Sequence, residues 1–136
     1  MIRQPRAVLD ASALLAYLFG EPGAEEVSAL LVETCAISAV NFSEVLSKLS
    51  DYGKKSEEAA DLMERQGLTG SAILVLPFDE TQARALARLR AKTRRAGLSL
   101  GDCACLALAS TLNLPVATAD RVWATLRLGV EVRCIR

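Results

Sequence analysis

The chain has 136 residues, of which 51% are hydrophobic, so it is long enough to bury a core. We expect one globular domain spanning residues 1–136. Its 16 basic residues balance its 16 acidic residues, which excludes a general attraction to nucleic acid and leaves only a local basic patch for such binding. The chain contains no histidine, which excludes Ser-His-Asp triads, Cys-His nucleophiles and paired-histidine RNA cleavage.

Strand-like and helical segments alternate along the chain. Strands are predicted at residues 7–10, 35–38, 72–76, 115–118 and 130–135. Helices are predicted at residues 12–19, with Ser12 as the N-cap, and at residues 24–33, 40–49, 56–66, 79–95 and 103–112, with a short helical turn at 121–126. This alternation predicts an α/β fold whose central, mostly parallel sheet is covered on both faces.

The amino-terminal sequence and the apolar runs bear on location. The chain starts Met-Ile-Arg-Gln-Pro-Arg, without the apolar segment of a signal peptide. The longest purely apolar run, residues 103–109, is too short to cross a bilayer. The four cysteines lie in apolar segments without zinc-binding spacing, which favours buried, reduced thiols. We therefore expect a cytoplasmic protein that makes no contact with a membrane.

Four acidic residues follow strands or occupy early helix turns. Asp10 ends the first strand, Asp120 lies just past the fourth, Asp102 is in the first turn of the apolar helix, and Glu44 is in the first half of the third helix. Ligands of open parallel sheets bind beyond the carboxyl ends of the strands, so we predict that these acids converge there. A divalent cation would offset their repulsion, and oxygen ligands favour Mg²⁺ or Mn²⁺ over zinc. Such a site suits in-line attack of water on a phosphodiester.

Each acid also has a simpler explanation. Asp102 is equally well explained as a helix-capping residue, and Glu44 alone is better explained as a solvated helix residue. Asp120 fits an ordinary turn. Asp10 differs, because a carboxylate that follows the buried strand needs a partner. Only their shared place in the topology favours a common site.

Four motifs surround these acids in order along the chain. They are VLDASALLA at residues 8–16, SAVNFSEV at 38–45, LSLGDCACLALA at 98–109 and LPVATADRVW at 114–123. Together they resemble the motifs of the PIN-domain family, in particular those of the VapC-type toxins of bacterial toxin–antitoxin pairs. The resemblance implies a PIN-like three-layer α/β/α fold.

The resemblance also implies an activity and a ligand set. It implies a Mg²⁺-dependent endoribonuclease, with Mn²⁺ as a substitute, that hydrolyses structured RNA through a metal-activated water. It further implies a homodimer that a small antitoxin protein neutralises. Asp10 and Asp102 are the implied principal metal ligands, and Glu44 and Asp120 complete the acidic cluster directly or through water.

Three polar residues beside the acids have two explanations each. The resemblance implies that Ser12 and Thr118 orient the aspartate carboxylates, whereas local capping explains both hydroxyls equally well. Asn41 is expected to orient Glu44 or to contact substrate, and a role at the start of the helix is equally plausible.

Two surfaces are candidates for partners. Basic residues at helical spacing predict a stripe that holds the RNA backbone, with a solvated charged face as the alternative: Arg84, Arg88, Lys92 and Arg95. Apolar residues of the first two helices are candidates for an antitoxin groove, with core packing as the alternative: Leu14, Leu15, Leu18, Phe19, Val27, Leu30 and Leu31.

The main alternative function keeps the fold but lacks catalysis: a PIN-like module that acts in a protein/DNA repressor complex. A missing carboxylate would favour that alternative, and none is missing. A receiver-like signalling domain needs an acidic pair after its first strand, and Asp10 has no acidic neighbour. A DNA nuclease shares the metal chemistry, but the small size and zero net charge fit an RNA-cutting toxin better.

Overall fold

The computed structural model describes residues 3–136, so the first two residues of the predicted domain lie outside it. The strands are β1 (Ala7–Leu9), β2 (Cys35–Ser38), β3 (Ile73–Leu76), β4 (Val116–Thr118) and β5 (Val132–Cys134). The helices are α1 (Ala11–Phe19), α2 (Ala24–Val32), α3 (Ala39–Asp51), α4 (Ser56–Arg65), α5 (Glu80–Thr93) and α6 (Leu100–Leu112). Short 3₁₀ segments follow at Arg94–Ala96 and Arg121–Thr125.

The five strands form one sheet in the order β3-β2-β1-β4-β5, and all neighbours are parallel. From β1 the chain moves outward through β2 and β3, and then returns to the other side of β1 for β4 and β5. The strand order therefore reverses between β1 and β4, and open parallel sheets bind ligands beyond the carboxyl ends of the strands at such a point. The predicted α/β fold is confirmed, and its described strands are all parallel.

Alternate strand residues enter two separate cores. In β1, Ala7 and Leu9 pack with α1 to α4, whereas Val8 packs with α5 and α6. In β4, Ala117 and Val116 divide in the same way. Strands buried on both faces need continuous apolar runs, and this explains the short apolar segments of the sequence. The arrangement is a three-layer α/β/α fold.

Helix α6 accounts for the longest apolar run of the sequence. It packs against α5, α3 and the central strands, and its residues 103–109 are buried. No helix within residues 3–136 combines the length and the apolar character needed to span a membrane. The run is therefore explained by packing inside the fold.

Candidate active site

Asp10 lies directly after β1 and is the N-cap of α1. Its Oδ1 accepts hydrogen bonds from Ser12 Oγ at 2.7 Å and from the backbone N–H of Ala13 at 2.8 Å. Its Oδ2 accepts a hydrogen bond from Thr118 Oγ1 at 2.6 Å. The prediction that Ser12 caps this helix is wrong, because the helix begins at Ala11 with Asp10 as its N-cap; Ser12 lies in the first turn and donates to Asp10 instead.

The Asp10 carboxylate has an unusual electrostatic environment. Burial raises its pKa from the ordinary value of 3.8 to about 6; the hydrogen bonds of Thr118, Ser12 and Ala13 oppose this rise, and the negative charge of Asp102 adds to it. The ion pairs within residues 3–136 all lie elsewhere, so no Lys or Arg there pairs with Asp10. A buried carboxylate without a cationic neighbour is a group that a bound cation stabilises in its charged form.

Two hydroxyls connect Asp10 to the segment that carries Asp120. Thr118 Oγ1 donates to Asp10 and accepts a hydrogen bond from the N–H of Asp120 at 3.0 Å. Ser12 Oγ donates to Asp10 and accepts one from the N–H of Ala119 at 2.9 Å. The segment after β4 is therefore held against Asp10 at two successive peptide groups.

Asp102 and Asp120 each use one carboxylate oxygen to cap a helical segment. Oδ2 of Asp102 accepts from the N–H of Ser99 at 2.9 Å, and Ser99 Oγ accepts from the N–H of Asp102 at 3.0 Å, forming a capping box on α6. Oδ1 of Asp120 accepts from the N–H of Val122 at 3.0 Å. No donor among residues 3–136 reaches the second oxygen of either side chain, so capping leaves one oxygen of each available.

Glu44 of α3 lies against the first turn of α6. Asn41 Nδ2 donates to Glu44 Oε1 at 2.8 Å and to the carbonyl oxygen of Gly101 at 2.9 Å. Gly101 directly precedes Asp102, so this contact brings Glu44 next to Asp102. Sequence reasoning missed Gly101. The sequence does carry a signal for it. A glycine in a helical turn is less favourable than alanine, so its presence there suggests that another group approaches the backbone closely.

The charges of three of the four acids act on one buried thiol. Burial, followed by the charges of Asp10, Asp102 and Glu44, raises the pKa of the Cys105 thiol well above its usual range. Asp120 is exposed and is connected to this group through Thr118. The described residues hold no group of three or more acidic or cysteine side chains placed to bind a metal ion as they stand. The acids thus share one edge of the sheet without forming a complete cage.

A comparison with known families assigns the fold. The family model of the PIN domain matches residues 7–127. The chain belongs to the PIN domain family. No protein of curated function matches the sequence significantly. Residues 7–127 include all four motifs, and the resemblance that those motifs predict is confirmed.

Solved structures of similar fold include several toxin–antitoxin complexes. FitAcB from Neisseria gonorrhoeae is 26% identical, with a TM-score of 0.71, over 95% of this chain and 97% of that chain. DNA-bound VapBC from Salmonella typhimurium is 18% identical, with a TM-score of 0.72, over 98% of this chain and 100% of that chain. VapBC-5 from Mycobacterium tuberculosis is 24% identical, with a TM-score of 0.60, over 98% and 99%. The last two likenesses show the fold alone.

The basic stripe of this PIN domain lies on α5 and the 3₁₀ segment after it. Its four side chains, Arg84, Arg88, Lys92 and Arg95, belong to exposed residues. Arg84 forms an exposed ion pair with Glu80 at 2.7 Å. No hydrogen bond or ion pair of the described chain joins the stripe to the four acids.

An apolar cavity of about 590 Å³ lies between the ends of α1 and α3 and the side of α4. Leu18 and Phe19 line it. Core packing is the alternative explanation for the apolar residues of the first two helices. It applies to most of them: Leu14, Val27 and Leu31 are buried in the core, and Leu15, Leu18 and Leu30 pack against it. The cavity does not include any of the four acids.

Proposed function

We propose that this PIN domain is a divalent-metal-dependent endoribonuclease, the toxin of a VapBC-type toxin–antitoxin pair. PIN domains of VapC toxins are generally nucleases. The single observation that carries the proposal is the group of acids at the carboxyl edge of the sheet, where Asp10 is buried without a cationic partner in the described chain. All four carboxylates are present, which supports catalysis over a purely structural role.

We infer that Asp10 and Asp102 are the principal ligands of a Mg²⁺ ion, for which Mn²⁺ substitutes. Glu44 and Asp120 complete the site directly or through water. The donors fit such an ion because they are all carboxylate oxygens, and Mg²⁺ commonly binds one or two carboxylates and keeps several waters. A complete cage of protein ligands is therefore not required. When bound, the cation would lower the pKa of an attacking water and stabilise the leaving oxygen of a phosphodiester.

The remaining polar residues of the site act on the carboxylates. Ser12 and Thr118 hold both oxygens of Asp10 in place, and their hydrogen bonds favour its ionised form against the effect of burial. Asn41 holds one oxygen of Glu44. We propose that these contacts fix the acids before substrate arrives, which reduces the reorganisation needed for the reaction.

We propose that the substrate is structured RNA held in part by the basic stripe. Arg88, Lys92 and Arg95 are exposed and have no ion-pair partner within residues 3–136, so their charges are available for phosphate oxygens. A local patch of this kind is the electrostatic feature that a chain of zero net charge needs to bind RNA.

We propose a homodimer and a small antitoxin as protein partners. The similar structures of FitAcB and VapBC support the antitoxin, and the apolar cavity beside Leu18 and Phe19 offers it a surface for an apolar segment. A second candidate function is a non-catalytic role in a DNA-bound repressor complex. It is favoured by the similar structures of FitAB bound to a DNA fragment and of DNA-bound VapBC.

The experiment that separates these functions is incubation of the purified protein with total RNA and Mg²⁺ or Mn²⁺, followed by mapping of the new ends. We expect discrete cleavage that excess EDTA abolishes, with 3′-hydroxyl and 5′-phosphate ends because water is the nucleophile. Fragments with 2′,3′-cyclic phosphates would contradict metal-assisted hydrolysis. Intact RNA under all conditions would favour the non-catalytic role.

A further inference from the structure

Gly101 leaves a space that the Glu44 carboxylate occupies. A Cβ atom added at Gly101 would lie 2.6 Å from Glu44 Oε2 and 2.9 Å from both Glu44 Cδ and Oε1. These separations are too short for carbon against carboxylate atoms, so any larger residue at this position displaces the side chain of Glu44.

Backbone conformation does not explain the glycine. The other glycines of residues 3–136 all have positive φ angles, which glycine adopts more readily than other residues. Gly101 instead lies in the first turn of α6, where alanine has the higher helix propensity. The close approach of the Glu44 carboxylate is therefore the feature that distinguishes Gly101 from the other glycines.

Asn41 holds the carboxylate in this space. Its amide nitrogen bridges Glu44 Oε1 and the Gly101 carbonyl oxygen, and the residue is only 1% exposed. Its Oδ1 atom has no partner within the described chain. The amide is thus oriented by these two acceptors, although that orientation leaves a buried oxygen without a hydrogen bond.

We propose that Gly101 is a positioning residue that, with Asn41, sets the location of the Glu44 carboxylate beside Asp102. The inference rests on the proposed metal site and names a residue outside its ligand set. Glu44 is exposed and would otherwise sample several rotamers. Because Gly101 has no side chain, the Glu44 carboxylate can reach the first turn of α6, and the amide of Asn41 keeps it there.

A double-mutant cycle tests this role by calorimetric titration of the metal-free protein with Mn²⁺. Gly101→Ala should weaken Mn²⁺ binding about tenfold, as is usual when the support of a ligand is lost. In a Glu44→Ala background the same substitution should change the affinity less than roughly twofold, because no carboxylate remains to be displaced. The unfolding temperature should not fall, since alanine favours the helix. Equal losses in both backgrounds, or no loss in either, would overturn the proposal.

A second measurement does not depend on metal binding. The side-chain NH₂ resonances of Asn41, assigned by their loss in Asn41→Ala, report its hydrogen bonds in the metal-free protein. Gly101→Ala should shift these resonances in the same direction as Glu44→Ala. Unchanged resonances would refute the positioning role. Failure of the wild-type protein to bind Mn²⁺ would instead count against the metal site, and the resonances would still decide the role of Gly101.

Discussion

The Asp10 carboxylate, at the end of β1, accepts hydrogen bonds from Ser12, Ala13 and Thr118. Its position after a buried apolar segment predicts from sequence that it needs partners. The local partners, Ser12 and Ala13, can be expected because a helix starts here and its first N–H groups need acceptors. Thr118 lies 108 residues away and becomes a partner only because β1 and β4 are neighbours, which residue pattern alone does not reveal.

The raised pKa of Asp10 predicts a pH-dependent stability in metal-free protein. An acid whose folded pKa exceeds its unfolded value stabilises the fold fully below the unfolded pKa, here near 3.8, and this contribution is lost as pH rises through about 6. The difference corresponds to about 3 kcal/mol of unfolding free energy. Relative to Asp10→Asn, the wild-type protein should therefore lose stability between pH 4 and pH 7, as measured by urea unfolding in EDTA.

The same comparison in Mn²⁺ serves as the control. A cation at Asp10 stabilises the ionised form, so the difference between wild type and Asp10→Asn should shrink or reverse at pH 7. A pH profile that is identical for the two proteins in EDTA would show that Asp10 is not the buried, uncompensated group described above.

At the scale of elements, helix starts carry three of the four acids. From the sequence, capping and a functional role are alternative explanations for these acids. In the structure Asp102 and Asp120 combine the two, because one carboxylate oxygen accepts the capping hydrogen bond and the other stays available. The capping box of α6 is visible in its Ser99 and Asp102 spacing. The packing of α3 against α6 is not visible, because Asn41 and Gly101 are 60 residues apart.

Element ends are less well predicted than element types. The strand predicted at residues 130–135 is only Val132–Cys134, although backbone hydrogen bonds at Glu131 and Ile135 still join the flanking residues to β4. The helix predicted from residue 40 begins at Ala39, because the Ser38 side chain caps it by accepting from the N–H of Val40. Neither difference moves a candidate site residue to another element.

Removal of the α6 cap tests the dual use of Asp102. Ser99→Ala should lower the unfolding free energy by about 1 kcal/mol, because the N–H of Asp102 loses its acceptor. It should also weaken Mn²⁺ binding, since Ser99 and Asp102 hold each other in place. Ser110→Ala, an exposed position near the end of the same helix, is the matched control and should change both quantities little. Equal effects of the two substitutions would contradict the assigned role of the cap.

For the whole molecule, the reversal of strand order between β1 and β4 brings together acids that are distant in sequence. Alternating strands and helices predict a parallel sheet and predict that the acids share its carboxyl edge. The order β3-β2-β1-β4-β5 does not follow from periodicity, which indicates only which residues are buried. The antitoxin, the homodimer, the extent of the single domain and the roles of the site residues stay predictions.

The basic stripe on α5 gives a prediction for RNA binding. Replacing Arg88 and Lys92 together by alanine should weaken RNA binding and reduce its dependence on salt, because fewer phosphate contacts release counterions. Mn²⁺ affinity should not change. The control removes two exposed charges from the region of α4, Lys55→Ala with Arg65→Ala. Equal RNA affinities for the two double variants, by fluorescence anisotropy of a labelled RNA, would exclude a specific role for the stripe.

The proposed function depends on carboxylates at the carboxyl edge of the sheet that hold a metal ion for RNA cleavage. The most direct test compares two aspartates in similar local settings. Asp102 and Asp79 both lie in capping interactions at helix starts, but only Asp102 belongs to the proposed metal site. Single-turnover RNA cleavage with Mg²⁺ should fall roughly a thousandfold or more in Asp102→Asn, because a ligand of the metal is lost. It should stay near the wild-type rate in Asp79→Asn. Full activity of a folded Asp102→Asn protein would contradict the account.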